Sequence, residues 1–135
     1  MNERGSVTAF VVIMTSALLA MAGLVIDGGY ALAAHRRAFN EAEAAARAGA
    51  QAVDLDTLRA TGDVVLDAEE AERRALEYLA ALDRSGSVEV DGDVVRVHLS
   101  FEHGLVLLDA FGVGPMTIEG DGEARAVRGV TEAST

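Results

Sequence analysis

Ser6-Val-Thr-Ala-Phe-Val-Val-Ile-Met-Thr-Ser-Ala-Leu-Leu-Ala-Met-Ala-Gly-Leu-Val-Ile26 runs for 21 residues without a charged side chain. At a helical rise of about 1.5 Å per residue it spans roughly 31 Å, which matches a bilayer hydrocarbon core of about 30 Å. A core helix of a soluble protein shows a polar face at 3.6-residue spacing, and this stretch has none. Its hydroxyls, Thr8, Thr15 and Ser16, can bond carbonyls of their own helix. The stretch therefore reads as a transmembrane helix over residues 6–26, behind a cytoplasmic N-terminus of residues 1–5. A signal peptide cut after Ala20-Met21-Ala22 is the competing reading. Against it, Glu3 offsets Arg4 ahead of the run, the run is longer than a usual signal core, and the helical pattern continues past the cut. Arg4 and the free amine favour an inside N-terminus, while Arg36 and Arg37 on the far side reduce the charge asymmetry. The short flank, with nothing in it to translocate, decides for N-terminus inside and C-terminal domain outside.

The charges lie on either side of this run. Residues 27–135 carry 10 Arg against 21 Asp and Glu, a net charge of −11. Such a surface repels phosphates, so the composition speaks against a nucleic-acid partner. With no Cys there is neither disulfide nor thiolate chemistry. At 135 residues there is room for one ordinary domain.

Asp27-Gly28-Gly29 marks the exit from the membrane, where a carboxylate can reach water and a Gly pair permits a bend. The helix is expected to continue outside the membrane over residues 27–53. Ala34, Ala38, Ala42, Ala45, Gly49 and Ala52 recur at spacings of 4, 4, 3, 4 and 3, a stripe of very small side chains along one face. Arg36, Arg37, Asn40, Glu43, Arg47 and Gln51 lie opposite. The stripe either docks the helix on its own domain or packs against other subunits, because small residues let backbones approach closely. If unbroken, residues 6–53 form one helix of roughly 70 Å.

Residues 54–130 read as a small α+β extracytoplasmic domain. Residues 54–66 form a connection with a turn at Gly62-Asp63. Asp67-Ala-Glu-Glu70 has the capping-box pattern and opens an amphipathic helix that buries Ala68, Ala71, Ala75, Leu79 and Leu82, with Leu76 flanking. Ser85-Gly86 ends it. Asp91-Gly92 between alternating runs signals a hairpin. Placing the two-residue turn there sets Val88 against Val95, with Val88, Val90, Val95, Val97, Leu99 and Phe101 on the buried face and Arg96 and His98 outside. Residues 105–111 read as a short helical turn closed by Gly112-Val-Gly-Pro115. Residues 116–127 read as one long strand with a Gly-rich bulge or bend, or as a second hairpin at Gly120-Asp121-Gly122. Residues 131–135 form a flexible tail. The fold class is α+β and pilin-like: a long N-terminal helix with a transmembrane first half, a small antiparallel sheet and one additional amphipathic helix.

Little in the chain resembles a catalytic or cofactor site. His98, Glu102 and His103 are close in sequence, but no spacing forces them onto a metal, and solvated surface histidines are the simpler reading. Glu119-Gly-Asp-Gly-Glu123 lacks the frame of a calcium loop and reads as a charged strand edge that blocks aggregation. Gly112-Val-Gly114 lacks the strand-to-helix context of a phosphate loop. No nucleophile–base arrangement is signalled. The expectation is no enzyme, no catalytic residue, no metal, no cofactor and no small-molecule substrate.

Arg4-Gly5-Ser6-Val7-Thr8, the apolar helix, Gly23-Leu-Val-Ile-Asp27-Gly-Gly-Tyr-Ala-Leu32, Arg36-Arg37 and Glu43-Ala-Ala-Ala-Arg47-Ala-Gly-Ala50 together resemble the N-terminal region of TadE/TadG-like proteins. That family serves the assembly of Flp (tight adherence, type IVc) pili. Leu107-Leu-Asp-Ala-Phe-Gly-Val-Gly-Pro-Met-Thr-Ile118 also looks like the C-terminal strand region of small TadE-like minor pilins. The resemblance implies a minor pilin or pseudopilin anchored in the cell membrane. Its partners would be the lipid bilayer, other pilus or pseudopilus subunits and assembly platform proteins. It also implies a prepilin-type processing site at Gly5 and Ser6, where family members are cut after a Gly followed at the fifth position by Glu. Here that position is Phe10 and no acid occurs between Gly5 and Asp27. The departure favours a membrane-retained, TadG-like role over a bulk fibre subunit. The alternative is a membrane-tethered extracytoplasmic binding or sensor module of an envelope complex.

Overall fold

The architecture is built on one helix. In the computed structural model, which describes residues 3–127, α1 runs without a break through Glu3–Gly49. It is followed by α2 (Leu55–Thr61), α3 (Ala68–Ala81), β1 (Ser85–Asp91), β2 (Val94–His103), a 3-10 turn (Leu108–Phe111) and β3 (Met116–Arg125). The strands form one three-stranded sheet in the order β1-β2-β3. The fold is α+β: a long apolar N-terminal helix, further helices and a small antiparallel sheet. The flexible tail expected at residues 131–135 lies outside the described residues.

Several local boundaries differ from the sequence reading, each for a physical reason. The Gly28-Gly29 pair does not interrupt α1; both residues are helical and exposed. α1 stops at Gly49 rather than reaching residue 53. Beyond it, Ala52 accepts the amide of Asp67 (2.8 Å) and Val53 bridges Leu66, so the backbone is already engaged with another segment. The connection over residues 54–66 contains a helix of its own. Asp54 caps α2, accepting from the amides of Asp56 (3.0 Å) and Thr57 (3.2 Å) and from the Thr57 hydroxyl (2.7 Å). Gly62, at φ +80°, closes it. None of its residues is buried, so hydrophobic periodicity had nothing to reveal; the signal was the cap at each end.

Asp67 caps α3 through the Glu70 amide (3.1 Å). The reciprocal half of the capping box is absent, because the Glu70 carboxylate bonds Arg73 and Arg74 instead. Those two guanidinium partners hold the Glu70 carboxyl below its ordinary value. α3 buries Ala71, Ala75 and Leu79. Ala68 and Leu82 are exposed. The chain leaves the helix at Asp83, whose φ is +56°, and Ser85-Gly86 begin β1.

The hairpin turn sits one residue later than Asp91-Gly92, since Asp91 pairs with Val94 and Val88 with Val97. Gly92 is the first turn residue, at φ +62°, the position where a glycine is preferred in a two-residue loop. Moving the turn by one residue shifts the pairing by two. That keeps every side chain on its expected face, and Val95, Val97 and Leu99 are buried.

Contacts divide the chain into two compact units. One takes the residues up to Ala34 together with Glu102–Thr117, and the other takes His35–Phe101 with the residues from Ile118 onward. In the second unit Ala38, Ala42, Ala45 and Ala46 of α1, Ala71, Ala75 and Leu79 of α3, Val95, Val97 and Leu99 of β2 and Ile118 of β3 are all buried. α3 packs along β1. Arg84, just after α3, donates to Glu41 of α1 (2.8 Å) and lies 4.0 Å over the Phe101 ring. β3 is a single strand, which excludes the second hairpin. Its glycines serve close approach: a β-carbon on Gly120 would overlap the backbone of Ala38 and come within 2.7 Å of the Ala38 β-carbon. One on Gly122 would overlap the backbone of Ala42 and Glu43. Strand and helix backbones touch here because both sides lack bulk.

Gly120→Val or Gly122→Val should therefore lower stability by about 1–3 kcal/mol, the usual cost of overpacking. Gly29→Ala, with nothing within 4 Å of the new β-carbon, should leave it unchanged or raise it by about 0.5–1 kcal/mol. Thermal unfolding of the purified protein in detergent, followed by circular dichroism, measures both.

Candidate functional site: the apolar helix and its buried carboxylate

The first half of α1 leaves its large side chains uncovered. Phe10, Ile13, Leu18, Leu24 and Val25 are each 60–72 % exposed. In water this surface would carry a large hydration cost. The helix is long and apolar enough to cross a membrane. Gly5 and Ser6, the candidate processing site, lie inside α1 and are exposed. Across the described residues no group of three or more His, Cys, Asp or Glu side chains converges as metal ligands would.

Protein covers this half of α1 at Gly23 and Asp27, which are buried. Asp27 does not reach out to water as a charge at a membrane exit would; it is 2 % exposed. Its carboxylate accepts three consecutive amides, from Val106 (3.0 Å), Leu107 (3.0 and 3.2 Å) and Leu108 (2.7 Å). These are the donors that a segment entering a 3-10 turn leaves without backbone partners, and a carboxylate is the strongest acceptor for them. One turn earlier, Gly23 makes room for the same segment: a β-carbon there would stand 3.3 Å from that of Leu107.

The small residues picked out on α1 are all buried: Ala34, Ala38, Ala42, Ala45 and Gly49 within the helix, and Ala52 just after it. A β-carbon on Gly49 would meet the Ala71 carbonyl at 2.8 Å. The buried line begins earlier than the sequence reading placed it, at Gly23, Asp27 and Ala31. From residue 23 to residue 49 it steps by 4, 4, 3, 4, 4, 3 and 4, so Asp27 stands on the stripe itself. That spacing was the available signal: an acid in register with small buried residues does not face water.

The outer face of the sheet is ionic. Arg96 meets Glu123 (3.0 Å), His98 Nδ1 meets Asp121 (2.7 Å) and Arg125 meets Asp93 (3.4 Å). Asp121 and Glu123, two of the three acids in the Gly-rich strand, are thus cross-strand partners of β2. His98 is engaged with Asp121, whose hydrogen bond raises the imidazole above its ordinary value against a smaller opposing effect of desolvation. At α2, the Thr57 hydroxyl and amide hold the Asp54 carboxyl below its ordinary value.

Residues 5–52 match the model of the Tad family, described as Flp pilus-assembly TadE/G-like. The matched region contains the apolar run, Asp27 and the whole small-residue stripe. A comparison with curated proteins gives no match, and neither does one with solved structures.

Asp27→Ala should speed hydrogen exchange at the Val106, Leu107 and Leu108 amides by on the order of tenfold or more, because three amide donors lose their acceptor. Asp27→Asn, which keeps one carbonyl oxygen, should fall between Ala and wild type. The Leu79 and Leu99 amides, which belong to the other compact unit, should not change. For His98 the folded value is raised, so the pair's stabilisation is fully present below the unfolded value of about 6.5. It is lost as pH rises through the raised folded value. An NMR titration of His98 should give a midpoint above that of the Asp121→Asn variant.

Proposed function

We propose that the chain is a membrane-anchored, minor-pilin-like or pseudopilin-like component of Flp (Tad) pilus assembly or a related secretion apparatus. The observation that carries this reading is the uncovered apolar surface of α1 lying inside the region that matches the TadE/G-like family. α1 crosses the membrane once with its N-terminus inside, and the acidic α+β part works outside. Its action is packing rather than catalysis. α1 lies among the helices of other subunits and platform proteins, and the exposed surface of the outer domain meets further pilus components. The buried stripe serves mainly to hold α1 on its own domain, since Ala38, Ala42 and Gly49 touch β3 and α3 there. Because no acid occupies position 10, the chain lacks the charge through which a family-type pilin would contact a neighbour's amine, and it stays in the membrane.

The protein is expected in the membrane fraction after alkaline extraction, and peptide mapping should find the bond after Gly5 intact. A cut after Gly5 would make it a fibre subunit, and a cut after Ala22 would remove the anchor and end the proposal. Deleting the gene should reduce piliation and surface adhesion; unchanged piliation would count decisively against an assembly role.

A further inference from the structure

Burying Asp27 changes how far the apolar surface of α1 extends. Without that carboxylate the run does not end at Ile26. Gly28, Gly29, Tyr30, Leu32 and Ala33 are exposed and uncharged, and the first exposed charge after residue 5 is Arg36. Asp27 is therefore a charge hidden part-way along an apolar surface. The segment that hides it must share its depth. Leu107 and Leu108 reach even further back, to Gly23, about 5 Å before the end of the 6–26 run at a helical rise of about 1.5 Å per residue.

That segment is itself apolar on its free side. From Gly104 to Met116 the sequence Gly-Leu-Val-Leu-Leu-Asp-Ala-Phe-Gly-Val-Gly-Pro-Met holds one charge, Asp109. Val106 is 65 % exposed, Phe111 58 %, Val113 45 % and Met116 41 %. Six of its amides have internal partners, which lowers the cost of taking them out of water. The amides of Val106, Leu107 and Leu108 are held by Asp27, and those of Ala110, Gly112 and Val113 by the carbonyls of Leu107, Asp109 and Leu108. The exposed Asp109 limits the depth to the headgroup–acyl boundary, where an aromatic ring such as Phe111 is at home.

We infer that the 104–116 segment is a second membrane contact, an interfacial loop whose Val106, Phe111 and Val113 enter the headgroup–acyl boundary of the lipid bilayer beside α1. This rests on the membrane-anchor reading, of which it is a consequence for the outer domain. The partner is lipid, because the loop is pinned beside the part of α1 that lipid covers. The loop thus restrains α1 in rotation and depth, which a single crossing helix alone does not do.

The chain contains no Trp, so one introduced indole reports alone. Full-length Phe111→Trp, Val106→Trp, Val12→Trp and Tyr78→Trp proteins would be placed in phosphatidylcholine vesicles brominated either near the headgroup or deep in the acyl chain. Val12→Trp should lose emission mostly to the deep bromines. Phe111→Trp and Val106→Trp should lose it mostly to the shallow ones, and Tyr78→Trp, on α3, to neither. If Val12→Trp is quenched while both loop reporters match Tyr78→Trp, the loop contact is overturned and the anchor stands; a neighbouring subunit would then be what covers the loop. If Val12→Trp is not quenched either, the anchor reading fails and the loop contact fails with it.

Discussion

Close contact between the α1 backbone and the backbone of β3 holds together the unit formed by His35–Phe101 and the residues from Ile118. At Ala38 and Ala42 the helix meets Gly120 and Gly122 with no room for another carbon atom. Neither partner alone would require this. A helix face of alanines can lie at many distances from a sheet, and a strand with two glycines is intrinsically weak. Together they give a separation set by main-chain atoms, which have no rotamers to adjust. The same logic recurs at Gly49, against the Ala71 carbonyl, and at Gly86, between the His98 carbonyl and Leu79. With the spacing fixed by small residues, few large ones remain for the core: Leu79, Leu99, Ile118, Val95 and Val97.

Asp27 applies the same face of α1 to a different purpose. It stands in register with the buried glycine and alanines, yet it holds a segment 79 to 81 residues away by hydrogen bonds rather than by packing. A buried carboxylate without partners would be strongly unfavourable. Here three amides of an otherwise donor-rich turn supply them, so each side removes a cost the other would carry. The exposed surface of the helix thereby becomes continuously apolar past residue 26, as far as Arg36.

The surface divides accordingly. Carboxylates and guanidiniums pair across β2 and β3 on the outer face, and α3 adds its own ladder through Glu70, Arg73, Arg74 and Glu77. Such exposed pairs contribute little to stability. They keep the sheet's outer face wet. Uncovered apolar area concentrates instead on the first half of α1 and the 104–116 segment.

Elements whose signals are local are legible in the residues alone. The apolar length of α1, the alternation of β1 and β2, the cap at Asp67 and the α+β class follow from periodicity and from residues within a turn of each other. Even the misplaced hairpin turn kept its faces, because side-chain direction depends on parity and not on the turn's position. α2 escaped because it buries nothing and announces itself through its caps alone. The tertiary structure decided what depended on distant partners. It showed that Gly120 and Gly122 serve an approach rather than a bend, that α1 yields at Gly49 to contacts made by Ala52 and Val53, and that Asp27 faces inward. A carboxylate after an apolar run looks, locally, like a point of exit into water. Its register with the small-residue stripe marks the buried face, but the donors that stabilise a carboxylate there come from Val106, Leu107 and Leu108, and no pattern within one helix records them.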